Sequence, residues 1–156
     1  MQIFVPYPSP LQCAVSLWND QRRYNKQVIE CNQILDAIDG VGKGWFNHPV
    51  TKMYKPYREW LVNYNCCLMA YRNCMKYNKD DDFATRVSYI QATMYSDKAD
   101  AIRPPFLTDE FCDQHKRRLF TKAPDFYPQF EEYGTSEENW YWVECELLKY
   151  VNGKRI

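Results

Sequence analysis

Apolar positions recur at helical spacing over two long stretches of this chain. In the first, SPLQCAVSLWNDQRRYNKQVIECNQILDAIDG from Ser9 to Gly40, the residues Tyr24, Val28, Cys31, Leu35 and Ile38 fall at steps of four and three, and Ile34 widens the stripe. Ser9 is a good N-cap, Pro10 suits the first helical position, and Gly40 stands where a C-terminal stop belongs. Asn19-Asp20 can recap the helix, so 10–18 and 20–39 are read as two helices or one bent one. The second stretch runs from Pro56 to about Asn78, with Tyr57, Leu61, Tyr64, Leu68, Tyr71 and Met75 in register and Trp60 beside them. A weaker pattern covers Phe83 to about Ser96, with Val87, Ile90 and Met94 on one side. Thr108-Asp109-Glu110-Phe111 opens a further helix with a good cap and early acids, and Phe111, His115, Arg118 and Leu119 share one side of it. The pattern predicts a mostly α, compact single domain over 1–156, with three to five helices and long aromatic-rich connectors.

The connectors carry their own signals. Residues 2–8, QIFVPYP, are extended because Pro6 and Pro8 prevent a helix, and their apolar side chains can anchor the amino terminus against the helices. VGKGWFNHP, from Val41 to Pro49, is a loop; its glycine spacing is wrong for a phosphate loop and no Gly-Lys-Ser/Thr follows. NKDDD, Asn78 to Asp82, reads as a solvated turn that caps the next helix. Pro124 and Pro128 interrupt TKAPDFYPQF, Trp140-Tyr141-Trp142 forms an aromatic knot, and Asn152-Gly153 marks a small hairpin turn near the end.

Composition adjusts this picture in three ways. Tyrosine occurs 13 times and tryptophan 5 times, which predicts rings left partly exposed or lining a groove. The net charge is +0, which is not the profile of a strong non-specific nucleic-acid binder. The cations nevertheless cluster, at Arg22/Arg23/Lys26, Lys52/Lys55/Arg58 and Lys116/Arg117/Arg118/Lys122, and the acids at Asp80–Asp82 and Glu131/Glu132/Glu137/Glu138, so one basic face is expected. An odd count of 7 cysteines without a secretory signal suggests free thiols in a reducing compartment. Cys112-x-x-His115 has ligand-like spacing but no second pair nearby, so no metal site is expected.

The candidate chemistry sits on the first long helix. Asp20 and Arg23 are three apart and therefore neighbours; Arg22 and Lys26 are four apart on an adjacent line that Glu30 continues. On spacing alone this is a solvated helix face with an N-cap aspartate. Three blocks in order change the weighting. They are the extended amino end followed by Asp20 and Arg23, the loop GWFNHP leading into an aromatic-rich helix, and HKRRLFTKAPDFY followed by NWYW. Together they resemble the pyrimidine-dimer DNA glycosylase family and cover most of the chain.

That resemblance implies a compact helical enzyme acting on duplex DNA. In the family's well-studied phage member the chain's own α-amine attacks C1′ of the damaged nucleotide, a carboxylate assists the imine chemistry, and β-elimination nicks the strand. An α-amine has a pKa near 8, so much of it is neutral at working pH. The nucleotide must also leave the stack to expose C1′. Carried over by position, the resemblance makes Met1, Gln2, Asp20 and Arg23 the catalytic set. It places Arg22, Lys26, His48, Arg117, Arg118 and Lys122 on the DNA face, with Trp45 and Tyr127 packing the bent duplex or an extruded base. Asp20 is one methylene shorter than the glutamate of the phage member, and Gln2 stands where that member has a small residue exposed by loss of the initiator Met. Methionine is poorly removed before a bulky residue, so the expected amine is that of Met1. The resemblance implies no cofactor, a monomer with no membrane contact, damaged or abasic double-stranded DNA as partner, and the cytoplasm of a bacterial or phage-infected cell. Two other classes stay open at this point: a non-catalytic nucleic-acid-binding relative, and a phage or mobile-element factor that uses exposed aromatics to bind a protein.

Overall fold

Two caps divide the first apolar stretch. Ser9 accepts a hydrogen bond from the Gln12 amide and starts α1 (Pro10–Leu17); Asp20 accepts from the Arg23 amide and starts α2 (Gln21–Asp39). Gly40 closes α2 at φ 71°, in the left-handed region that glycine enters without a Cβ clash. In this computed structural model the described residues are 1–42, 44–136, 150–151 and 154–155. The NWYW block, Glu137, Glu138 and the Asn152-Gly153 turn lie outside them.

Six α-helices occur among the described residues, against the three to five expected. The excess comes from the α1/α2 division and from α3 (Pro49–Tyr54), a short helix that His48 caps through Nδ1 and a 3-10 turn joins to α4 (Arg58–Arg72). The last turn of that stretch, Asn73–Tyr77, is a π turn. α5 (Asp82–Ala101) extends five residues beyond the sequence expectation, and α6 (Asp109–Lys122) starts at the predicted Thr108 cap. A 3-10 helix follows at Pro128–Tyr133. Tyr150–Val151 (β1) and Lys154–Arg155 (β2) pair antiparallel, as the predicted hairpin required.

α4 is the central element, packed on α1, α2 and α5. Its stripe is aromatic: Trp60 and Tyr64 are fully buried and stack at 5.1 Å, and Tyr54 of α3 stacks on Trp60 at 5.7 Å. The aromatic excess therefore fills the core to a larger extent than composition predicted, since Tyr24, Tyr54, Tyr64 and Tyr127 are also fully buried. Rings give much buried area for little side-chain entropy. α5 departs from its pattern. It approaches the helices with its small residues Ser88, Ala92, Ser96 and Ala99 and leaves Phe83, Val87, Ile90 and Met94 exposed. Six cysteines are described, all as free thiols.

The amino-terminal segment is threaded into this bundle. Ile3 and Val5 are 0% exposed, although among the described residues this extended segment joins no sheet. A buried backbone must find partners for its amides and carbonyls. Here they come from the side chains of three different helices, and these set the geometry of the site.

Candidate active site at the amino terminus

Gln27 of α2 serves two groups of the segment. Its Oε1 accepts from the Phe4 amide at 2.7 Å and its Nε2 donates to the Gln2 carbonyl at 3.2 Å. Tyr64 of α4 donates to the Phe4 carbonyl at 2.5 Å, and His115 of α6 accepts from the Val5 amide through Nδ1 at 2.8 Å. Each bond adds ~1 kcal/mol net, whereas an orphaned buried amide costs about 1–3 kcal/mol. Because Nδ1 of His115 is an acceptor, Nε2 carries the ring proton. The Gln2 amide nitrogen lies 3.4 Å from that Nε2 while Gln2 Oε1 is buried without a partner. An end-for-end turn of the Gln2 amide satisfies both groups.

The segment brings the Met1 α-amine within electrostatic reach of Glu30, Lys26 and Lys122, which with Gln2, Phe4, Arg23 and Gln27 line a small pocket. Burial holds the amine below its ordinary pKa of 8.0; Lys26 and Lys122 push it further down and Glu30 pulls it back up. Glu30 is the carboxylate at this end of the segment. Its Oε2 accepts from the Gln2 amide at 3.5 Å and its Oε1 lies 3.8 Å from Lys26 Nζ. Lys122 is also held below its ordinary value, chiefly by burial and then by Arg23, Arg118 and Lys26. The pocket thus gathers three cationic side chains, Arg23, Lys26 and Lys122, and one carboxylate, Glu30, beside the α-amine.

Asp20 is committed elsewhere. It is 6% exposed, caps α2, and its Oδ2 receives Arg23 Nε at 3.2 Å and the Tyr127 hydroxyl at 2.9 Å. It fixes the start of α2 and the connector after α6, a structural use of the carboxylate that the sequence offered as its plain alternative. Arg23 is held by Asp20 on one side and lies over the Phe4 ring at 4.9 Å. Tyr127 is fully buried, bonded to Asp20 and stacked at 5.9 Å on Phe130, so it cannot pack a duplex or a base; that expectation is corrected. Arg117 donates through Nε to the Tyr133 carbonyl at 2.8 Å, which turns it toward the 3-10 helix. Gln2, expected beside the chemistry, is buried beneath the amine. Arg22, Lys26 and Lys122 are exposed and Arg118 half-buried, and the last three group electrostatically around Lys122.

The loop before α3 completes the surroundings. His48 is pushed down to about 4, first by burial and then by the charge of the amino terminus, so its imidazole is neutral beside the amine. Its Nδ1 accepts from the Val50 amide at 3.2 Å. Trp45 sits edge-on to His48 at 5.4 Å, is 48% exposed, and has φ 66°, a costly value for a side chain with a Cβ. Sequence reasoning missed Gln27, Glu30, Tyr64 and the role of His115. Polar groups set within apolar stripes were the available signal for Gln27 and His115.

His115 gives a direct test of this arrangement. Burial pushes it down to about 3, against 6.5 for an unperturbed histidine. Its folded pKa is depressed, so the unfolded chain takes the proton first, and the stability present above pH 6.5 is lost as pH falls toward 3. Between pH 7 and pH 5 this one group is expected to cost about 2 kcal/mol. Urea melts of His115→Asn, whose Oδ1 replaces the acceptor without titrating, should show that much less acid destabilisation than the natural protein; equal slopes would remove His115 as the cause.

A family model described as pyrimidine dimer DNA glycosylase matches residues 1–85. That span holds the amine, Asp20, Glu30, His48 and Tyr64 and ends before α6. No curated protein and no solved structure matches the chain.

Proposed function

From the premise that the chain belongs to the pyrimidine dimer DNA glycosylase family, a DNA-repair glycosylase family, we propose that it is a glycosylase with abasic-site lyase activity in which the Met1 α-amine is the nucleophile and Glu30 the assisting carboxylate. The observation that carries this reading is a partly buried α-amine within electrostatic reach of Glu30, the one carboxylate lining a pocket that also holds Arg23, Lys26 and Lys122. Asp20 passes its expected role to Glu30, because Asp20 is spent on the α2 cap, Arg23 and Tyr127.

The neutral amine attacks C1′ of an extruded nucleotide. The N–C1′ bond forms as the bond from C1′ to the base breaks, and the base leaves with a proton. The C1′–O4′ bond then breaks, O4′ taking a proton from water to become a hydroxyl, and this opening of the sugar gives the iminium. Glu30 stabilises this positive charge and then takes the proton from C2′, so that the 3′ carbon–oxygen bond breaks and the strand is nicked. Lys26, Arg118 and Lys122 hold the flanking phosphates. Neutral His48 supplies a hydrogen-bond donor at Nε2, and Trp45 offers an exposed ring to the bent duplex.

Borohydride trapping on duplex DNA with one abasic site tests the reading. A covalent adduct is expected, with the added mass on the amino-terminal peptide. DNA binding without an adduct would favour the non-catalytic relative, and an adduct on another peptide would reject the α-amine.

A further inference from the structure

We propose that Gln27, Tyr64 and His115 are positioning residues for this reaction: from three helices their side chains clamp the backbone of residues 2–5 and so fix where the Met1 amine stands relative to Glu30. The inference rests on the catalytic reading above and adds to it a device for holding a nucleophile that belongs to no helix.

The geometry carries it. An amine at the end of an extended chain has no intrinsic position, because every residue behind it contributes two free torsions. Extended segments are ordinarily fixed by neighbouring strands. Among the described residues, the hydrogen bonds of this segment run to side chains: the Phe4 amide and the Gln2 carbonyl to Gln27, the Phe4 carbonyl to Tyr64, and the Val5 amide to His115. All three clamping side chains are at most 1% exposed, and α2 and α4, which bear two of them, are joined independently of the segment, the Tyr24 hydroxyl donating to the Leu68 carbonyl at 2.7 Å. The bonds alternate in direction along the strand. They therefore set its register as well as its depth, and a slip of one residue would turn the bonded backbone groups away from their partners and each side chain to the opposite side. Glu30 joins at the outer end of the same ladder through the Gln2 amide. The carboxylate and the amine are thus referenced to one strand, and an error of about 1 Å in such a reference is enough to lower a rate a hundredfold.

The test compares Gln27→Met, which removes both of its bonds, Tyr64→Phe, which removes one hydroxyl, and the pair His115→Leu and His115→Asn. Two readouts are taken on folded protein, each variant being first shown to melt cooperatively. One is the single-turnover rate of borohydride trapping on abasic duplex DNA, beside the dissociation constant for that DNA. The other needs no DNA: the pH dependence of Met1 acetylation by an amine-selective reagent, read by mass spectrometry. Gln27→Met and His115→Leu are expected to lower the trapping rate at least tenfold with the dissociation constant changed less than threefold, and to move the amine titration toward 8. His115→Asn keeps an acceptor for the Val5 amide and should restore the rate to within about threefold. Should His115→Leu not fold, Gln27→Met and Tyr64→Phe carry the comparison. Folded variants whose trapping rate and amine titration both match the natural protein would overturn the proposal. If the natural protein traps no DNA at all while the variants still shift the amine titration, the clamp stands and the catalytic reading falls.

Discussion

Replacing Glu30 by glutamine is expected to lower strand cleavage at an abasic site by about 10²- to 10⁴-fold, the range that positioned acid–base groups supply. Glutamine keeps the shape and an oxygen that can accept from the Gln2 amide, so the strand stays in place. What it loses is the charge that stabilises the iminium and the base that removes the C2′ proton. DNA binding should tighten slightly, because a carboxylate leaves a cationic pocket. Asp20→Asn is the control in the opposite sense. Asp20 accepts from the Arg23 amide, Arg23 Nε and the Tyr127 hydroxyl. Asparagine retains one acceptor and leaves a buried group short, a loss of about 1–3 kcal/mol in stability. Below its melting transition this variant should cleave at close to the natural rate. Gel-based single-turnover assays and thermal melts on the two proteins decide the matter. Cleavage abolished in Asp20→Asn and retained in Glu30→Gln would return the role to Asp20.

The proposed move of that role from Asp20 to Glu30 turns on contacts that no local rule supplies. Local rules served well: the caps at Ser9, Asp20 and Thr108 and the stop at Gly40 all stand where short-range chemistry put them. Glu30 was visible as the continuation of the Arg22–Lys26 line, but its meaning depends on a strand arriving from outside the helix. The bonds that deliver this strand join residues far apart, Val5 to His115 and Phe4 to Tyr64, and no periodicity encodes such pairs. Tyr127 failed in the same manner. An aromatic in a proline-rich connector reads as surface, and only the fold brings its hydroxyl to Asp20. α5 shows the limit of pattern itself. Its large apolar stripe is genuine, yet the helix buries Ser88, Ala92, Ser96 and Ala99 against its neighbours, and these small side chains permit close packing. The family resemblance was legible from block order, although the matched span of 1–85 leaves out the third block, HKRRLFTKAPDFY with NWYW.

Acetylating the Met1 amine is expected to reduce imine formation to the level of an enzyme-free control, because an amide nitrogen has no lone pair to offer C1′. The unmodified amine allows a finer prediction. Only its neutral form attacks, so trapping should rise with pH and level off once the amine is deprotonated. Burial, Lys26 and Lys122 all depress its pKa, and the half-maximal point should therefore fall below pH 8. The signs separate the causes. Removing cationic neighbours in Lys26→Met and Lys122→Met relieves repulsion on the protonated amine, so the half-point should move up toward 8. Glu30→Gln removes an attraction and should move it down, even as the elimination that follows is lost. Each lysine substitution also removes one cation from the phosphates, so the slope of log affinity against log salt should flatten by about 0.9 per lysine replaced. Opposite displacements of the half-point in the lysine and glutamate variants, measured by trapping between pH 5 and 9, would place both charges on the amine. Displacement of both in one direction would mean that the pH dependence belongs to another group, with His48 the first to test.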